Sequence, residues 1–199
     1  QAGRSHAVEL AAAEAADDFA AFLRVYIDAR RDDPRDDLIS VLAAAELEDG
    51  SKLDDELIYA FLRLMAPAGA ETTYRSSSNL LFGLMSHPEQ LDAVRSDRSL
   101  IPQAIDEGLR WECPLTGIMR TCTAETEVAG VKIPESQMIH VNLGSANHDE
   151  TRWDDPELFD IFRPLKAHIA FAFGPHRCLG IHLATMETRV VLETLFDRL

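Results

Sequence analysis

The stretch Phe171–Gly180, FAFGPHRCLG, sets one cysteine among two aromatics, a histidine, an arginine and three Gly or Pro breakers. Cys178 stands just before a helical pattern. Backbone N–H groups without partners and the positive end of the helix dipole favour negative charge on a sulfur there. Gly174 and Gly180 permit turns and close approaches that a side chain would block. The combination suits a thiolate presented to a flat, bulky ligand or a metal. It is equally compatible with a buried structural cysteine. A zinc site of His176, Cys178 and His182 is a third reading, although no CxxC is present and the ligands would crowd into seven residues.

Two further clusters bear on chemistry. In AGAETT, Ala68–Thr73, a glycine and two threonines sit inside a long helical pattern. They are poor helix formers, and the Thr72 hydroxyl is placed to donate to the Ala68 carbonyl, loosening the helix into a groove. Glu71 beside Thr72 supplies an ionisable group and a hydroxyl within one turn, the parts of a proton relay. A packing kink with a solvated glutamate accounts for the same residues. In EGLR, Glu107 and Arg110 share one helix face at a spacing of three, as do many surface pairs worth about 0–1 kcal/mol.

The elements that must position these groups follow from periodicity and punctuation. Phe19, Phe22, Leu23, Tyr26 and Ile27 line one face of a helix expected over 7–29, which RRDDPRDD ends at Pro34. Asp37 or a neighbour caps a short helix expected to reach Leu47, EDGSK turns, and a long helix follows from about Asp54 to Met85. Pro67 removes one backbone bond from it, so a bend is expected beside Gly69. Helices starting near Pro88 and Ile101 come next. After Pro114 the texture changes to the short runs EVAG, VKIP and MIHVNL, a minor sheet, and helical spacing returns from Leu179. The fold class is mainly α with a minor antiparallel β portion.

Composition bounds the function. The 199 residues are 46% hydrophobic and 27% charged, enough for one substantial core. Three dispersed cysteines, Cys113, Cys122 and Cys178, do not resemble a secreted disulfide framework, which points to the cytoplasm. No apolar run reaches the roughly 20 residues needed to span a bilayer. A net charge of −15 disfavours nucleic acid and acidic membranes as partners.

Taken in order, the three motifs resemble the cytochrome P-450 superfamily of haem-thiolate monooxygenases, in its soluble bacterial branch. The resemblance covers nearly the whole chain. FAFGPHRCLG is similar to the family's haem-binding loop, F-(G/S)-x-G-x-(H/R)-x-C-x-G, which implies Phe171, Gly174, His176, Cys178 and Gly180 as cofactor-binding residues and Cys178 as the metal ligand. AGAETT is similar to the oxygen-activating stretch, implying Glu71 and Thr72 as the catalytic acid–alcohol pair and Gly69 at the dioxygen groove. EGLR matches the family's E-x-x-R, with Arg163 of FDIFRP completing an ion network around Glu107 and Arg110. Arg120 and His176 match positions that bind haem propionates. The family's activity implies haem b (iron protoporphyrin IX), dioxygen, a small lipophilic substrate, and electrons from a ferredoxin or flavodoxin with its reductase. The alternatives are a catalytically inactive haem-binding or interaction fragment, or a zinc-binding or purely structural helical domain.

Three positions depart from the pattern: Ala172 for Gly or Ser, Ser136 for a turn glycine, and His148 for an arginine. Local strain is expected at each. Cys113 and Cys122 match no functional position and read as structural. Members of the family run to about twice this length. The resemblance therefore implies that residues 1–199 form the C-terminal part of a single domain, truncated, with a helical part over 1–115. The small β portion, thiolate loop and following helix occupy 116–199. Tyr74, Arg75, Leu62 and Ile118 are expected near the distal pocket, and Arg163, Lys166 and Arg177 as a basic docking patch.

Overall fold

A computed structural model describes residues 6–198. It divides into two units whose boundary lies between Ala68 and Gly69. In the first unit, helix α1 (His6–Asp32) buries Leu23 and Ile27, the face that the periodicity marks. It ends two residues before Pro34, with the Asp33 N–H donating to the Ala29 carbonyl at 3.0 Å. Helix α2 (Leu38–Ala44) is capped as expected, the Asp37 carboxylate accepting from the Ser40 N–H. It stops at Ala44, short of the expected Leu47. Residues 46–52 instead close a tight turn: Leu47 N–H donates to the Ser51 carbonyl at 2.7 Å, and Glu46 bridges Lys52. Gly50 at φ +81° and the Asp49 carboxylate, which accepts from Ser51 N–H, give this turn local bonds that compete with a further helical turn.

Asp54 caps helix α3 (Asp55–Ser86) by accepting from Leu57 N–H at 2.8 Å. Ile58, Tyr59 and Leu62 of α3 form the core of the first unit with Leu23 and Ile27. The helix continues through Pro67, whose nitrogen has no hydrogen to donate.

The second unit is built around helix α5 (Ile101–Trp111), which follows α4 (Pro88–Ser96) and a short 3-10 turn, Arg98–Leu100. Leu80 and Leu84 of α3, Val94 of α4 and Ile101, Ala104, Ile105 and Leu109 of α5 form one core. Phe159, Ile161 and, from helix α7 (Ile181–Arg198), Leu192 complete it. Gly108 lets α5 close on α3, since a Cβ there would stand 2.9 Å from Leu80. Buried Gln90 clamps the irregular chain after Phe159: its amide donates to the Phe159 carbonyl at 2.9 Å and accepts from Ile161 N–H at 2.8 Å.

The β portion forms two antiparallel pairs, not one sheet. Strand β1 (Gly117–Thr121) pairs with β4 (Met138–Asn142), with Arg120 opposite Ile139. Strand β2 (Thr126–Val128) pairs with β3 (Val131–Ile133) across Ala129 and Gly130, both at positive φ, the geometry that matches the twist of a two-residue hairpin. The run MIHVNL does not stay extended: Asn142 accepts from Ser145 N–H and starts the short helix α6 (Leu143–Asn147). The architecture is thus mainly helical with small antiparallel sheets.

Candidate functional site

Phe171 is partly buried against the core of the second unit, whereas every residue from Phe173 to Leu179 is exposed. Between these limits the loop is tied to itself. Cys178 N–H donates to the Phe171 carbonyl at 2.9 Å, and Arg177 N–H donates to the Gly174 carbonyl at 3.0 Å within a 3-10 turn, Gly174–His176. Gly174 stands at φ +72°, where its missing side chain is required. Ala172 stands at φ +57°, a left-handed conformation that costs an L-residue about 1 kcal/mol. The departure from the family pattern at this position is a strained one. Ser136 at φ +63° is strained likewise, but His148 at φ −112° is not; its ring bonds the Gly144 carbonyl at 3.0 Å.

The Cys178 thiol is free and exposed. It precedes α7, whose first turn is closed by Ala184 N–H donating to the Gly180 carbonyl, and a Cβ on Gly180 would lie 3.9 Å from the sulfur. Phe173 and Leu179, on either side of the cysteine, are 88% and 84% exposed. A soft donor flanked by uncovered apolar side chains, with its backbone N–H fixed, fits a flat apolar group carrying a thiolate-ligated metal. Among the described residues no three His, Cys, Asp or Glu side chains gather into a metal cluster, so the zinc reading finds no ligand set. Cys113 and Cys122 are free and buried, their thiols donating to the carbonyls of Leu115 and Ala124. Burial pushes the Cys113 thiol up from its ordinary value, which disfavours its thiolate form.

Gly69, Glu71 and Thr72 lie within one turn of α3. Apart from its chain neighbours and the backbone of its own helix, no atom of the described residues stands within 4 Å of where a Gly69 Cβ would be, leaving open space beside the helix. Thr72 is half-buried. The Glu71 carboxylate is bonded by the Arg75 guanidinium, a partner that the i,i+4 spacing in ETTYR foreshadows; the two side chains are 59% and 55% exposed. Arg120 projects from β1, donating to the Met119 carbonyl at 2.9 Å, and His176 is exposed in the 3-10 turn. Neither has a carboxylate partner among the described residues. Leu62, expected near a pocket, is instead part of the core of the first unit.

Glu107, Arg110 and Arg163 come together in the second unit. Arg110 is 1% exposed and Glu107 5%; the guanidinium donates from Nε to Glu107 Oε2 at 2.8 Å and from Nη2 to Oε1 at 2.7 Å. Its remaining donors reach the carbonyls of Asn147, Pro156 and Leu158 at 2.8–3.1 Å. Glu107 also accepts from Asp160 N–H at 3.0 Å and has Arg163 Nε at 3.5 Å. Trp153, buried beneath Arg110, has that guanidinium 5.4 Å from its ring. Arg163 is nearly buried and committed to the carbonyls of Asp154, Asp155 and Leu158. It is therefore not available to the basic docking patch expected from its charge. Asn147 and Gln90 carry structural bonds that no spacing rule marks in the sequence.

The family model for cytochrome P450 matches residues 5–199. The chain belongs to the cytochrome P450 family. Members of this family bind haem b through a cysteine thiolate. Among curated P450 proteins it is 42% identical over 170 residues to cytochrome P450-terp of a Pseudomonas species, covering 85% of this chain and 40% of that protein. It is 39% identical over 198 residues to a steroid C26-monooxygenase of Mycolicibacterium smegmatis, covering 98% of this chain and 49% of that one. The ligand-free structure of cytochrome P450 TbtJ1 superposes with a TM-score of 0.91 at 39% identity, over 98% of this chain and 52% of that chain. The structure of CYP109E1 from Bacillus megaterium with corticosterone gives 0.89 at 33% identity, over 100% and 53%. The chain thus spans about half the length of the P450 relatives it matches.

Proposed function

We propose that this chain carries the thiolate loop, the oxygen-activating helix and the ion network of a monooxygenase that inserts one atom of dioxygen into a small lipophilic molecule, drawing electrons from a ferredoxin or flavodoxin with its reductase. The observation that carries the reading is the exposed Cys178 thiol, its N–H fixed on Phe171 and uncovered Phe173 and Leu179 beside it. Haem b, bound there, supplies the oxidation chemistry.

The residues of the chain supply position, charge and protons. Cys178 ligates the metal as thiolate, with Phe171, Gly174 and Gly180 shaping the backbone around the sulfur. Arg120 and His176, both exposed and without a carboxylate partner, offer a cation and a hydrogen-bond donor to the propionates. Gly69 leaves room beside α3, and the Thr72 hydroxyl with the Glu71 carboxylate delivers protons toward that space. Glu71 must part from Arg75 to do so, a small cost for an exposed pair. Glu107, Arg110 and Arg163 hold the scaffold. A lipophilic substrate is supported by relatives named for steroid C26 oxidation and for cyclomarin C epoxidation. Cytoplasmic placement accords with the absence, among the described residues, of a helix long and apolar enough to cross a membrane.

The test is the absorption spectrum of the haem-loaded chain, reduced under carbon monoxide, beside Cys178→Ser. A strongly red-shifted Soret band that disappears in the variant is the expected result. A band that survives in Cys178→Ser, or haem bound without such a band in the unaltered chain, overturns the assignment of Cys178.

A further inference from the structure

The backbone behind the thiolate loop is held by a short relay of hydrogen bonds. Ile169 N–H donates to Asn147 Oδ1 at 2.9 Å, Ala170 N–H to His168 Nδ1 at 3.2 Å, and Ala172 N–H to the Ile169 carbonyl at 2.8 Å. The Phe171 carbonyl, flanked by two of these anchored amides, then accepts from Cys178 N–H at 2.9 Å. His168 is the one side chain in the relay that belongs to the segment itself. It is 10% exposed, its Nε2 lies 3.8 Å from Asp106 Oδ1 on α5, and its ring sits 6.1 Å from that of Phe171. Because Nδ1 accepts, the ring proton sits on Nε2 and faces Asp106. A ring seated in this way, nearly buried, bonded at Nδ1 and packed beside Phe171, has little freedom to release Ala170.

We propose that His168 is a positioning residue for Cys178, acting through Ala170 N–H to hold the Phe171 carbonyl where the Cys178 N–H meets it. The inference rests on the reading of Cys178 as the haem ligand. Ala172 makes the support necessary: at φ +57° it stores strain that persists only where neighbouring bonds over-determine the backbone. Removing the acceptor beneath Ala170 lets residues 170–172 relax away from that conformation. The Phe171 carbonyl then turns, and Cys178 loses the bond that orients its backbone toward the sulfur.

The histidine contributes an acceptor one bond beyond Cγ, reaching the amide two residues on. Asparagine presents Oδ1 at the same remove and forms the same local turn, whereas phenylalanine fills the volume without an acceptor and glutamine moves its oxygen one carbon further out.

The experiment compares His168→Phe, His168→Gln and His168→Asn with the unaltered full chain in two readouts. The first is amide hydrogen exchange at Cys178 in the haem-free chain. The second is the Soret position of the haem-loaded, carbon monoxide-bound ferrous form. Exchange at Cys178 is expected to accelerate about five- to tenfold in His168→Phe and His168→Gln, the loss of one net hydrogen bond, and to return to the unaltered rate in His168→Asn. The Soret band is expected to move toward the position of a neutral thiol ligand in the same two variants. Unchanged exchange at Cys178 in folded His168→Gln overturns the proposal, as does acceleration that His168→Asn fails to reverse. Accelerated exchange together with a thiolate band absent from the unaltered chain supports the positioning role and refutes the ligand assignment instead.

Discussion

Two carboxylate–guanidinium pairs sit on helices of this protein at nearly the same spacing, Glu107 with Arg110 and Glu71 with Arg75. In the first, both groups have left water. Every donor of Arg110 that the pair leaves over finds a backbone carbonyl, and Glu107 takes a further N–H from Asp160. The second faces solvent with more than half of each side chain exposed, where screening and side-chain entropy nearly cancel the attraction. The same local chemistry is therefore scaffold in one place and labile in the other. Lability suits a group proposed to carry protons, and rigidity suits a group that gathers the end of α6 and the irregular chain over 156–160 onto α5.

The largest effect should come from Glu107→Gln, which keeps the shape but leaves the buried Arg110 charge without its counter-ion. A loss of about 3–5 kcal/mol is expected, read from urea unfolding midpoints. A loss below about 1 kcal/mol would erase the contrast between the two pairs. Ala172→Gly should act in the opposite sense, raising stability by about 0.5–1 kcal/mol in the same assay because glycine carries no penalty at φ +57°. A destabilisation there would mean that the Ala172 methyl group packs usefully despite the strain.

A half-buried pair that is better anchored sharpens the comparison. The Arg30 guanidinium, with Ser40 N–H, holds the Asp37 carboxyl down to about 2 from its ordinary 3.8. The folded state thus binds the proton more weakly than the unfolded chain. The contribution is complete above about pH 4 and fades as the pH falls through about 2. Asp37→Asn should flatten thermal stability across that window, and an unchanged pH profile would dismiss the pair as a contributor. The smallest effect is expected of Glu71→Gln: a stability change within about 0.5 kcal/mol, insensitive to salt once the charge is gone. A change approaching that of Glu107→Gln would show that Glu71 is structural.

Helix positions, caps and the thiolate motif were legible because they are local. Asp37 caps where its type and spacing say it should, the long helix starts beside Asp54, and Pro88 begins α4. The overlong reading of α2 failed at a turn whose bonds, Leu47 to Ser51 and Asp49 to Ser51, outcompete one more helical turn. Strand β1 escaped notice because GIMRT has little alternation and is defined by its partner β4. The MIHVNL run hid a cap, Asn142, inside an extended pattern. Arg163 was open to two uses, ion network and docking patch, and only its burial against Glu107 decided between them.

By itself the sequence determined the family, the cysteine on its Gly- and Pro-bounded loop, and the helical frame, since each depends on residue types within a few positions of one another. The tertiary structure decided which charges are buried, which of two similar ion pairs is scaffold, and that His168 and Asn147 stand behind the Cys178 loop. Those outcomes turn on desolvation and on contacts between residues tens of positions apart, and neither is written in local spacing.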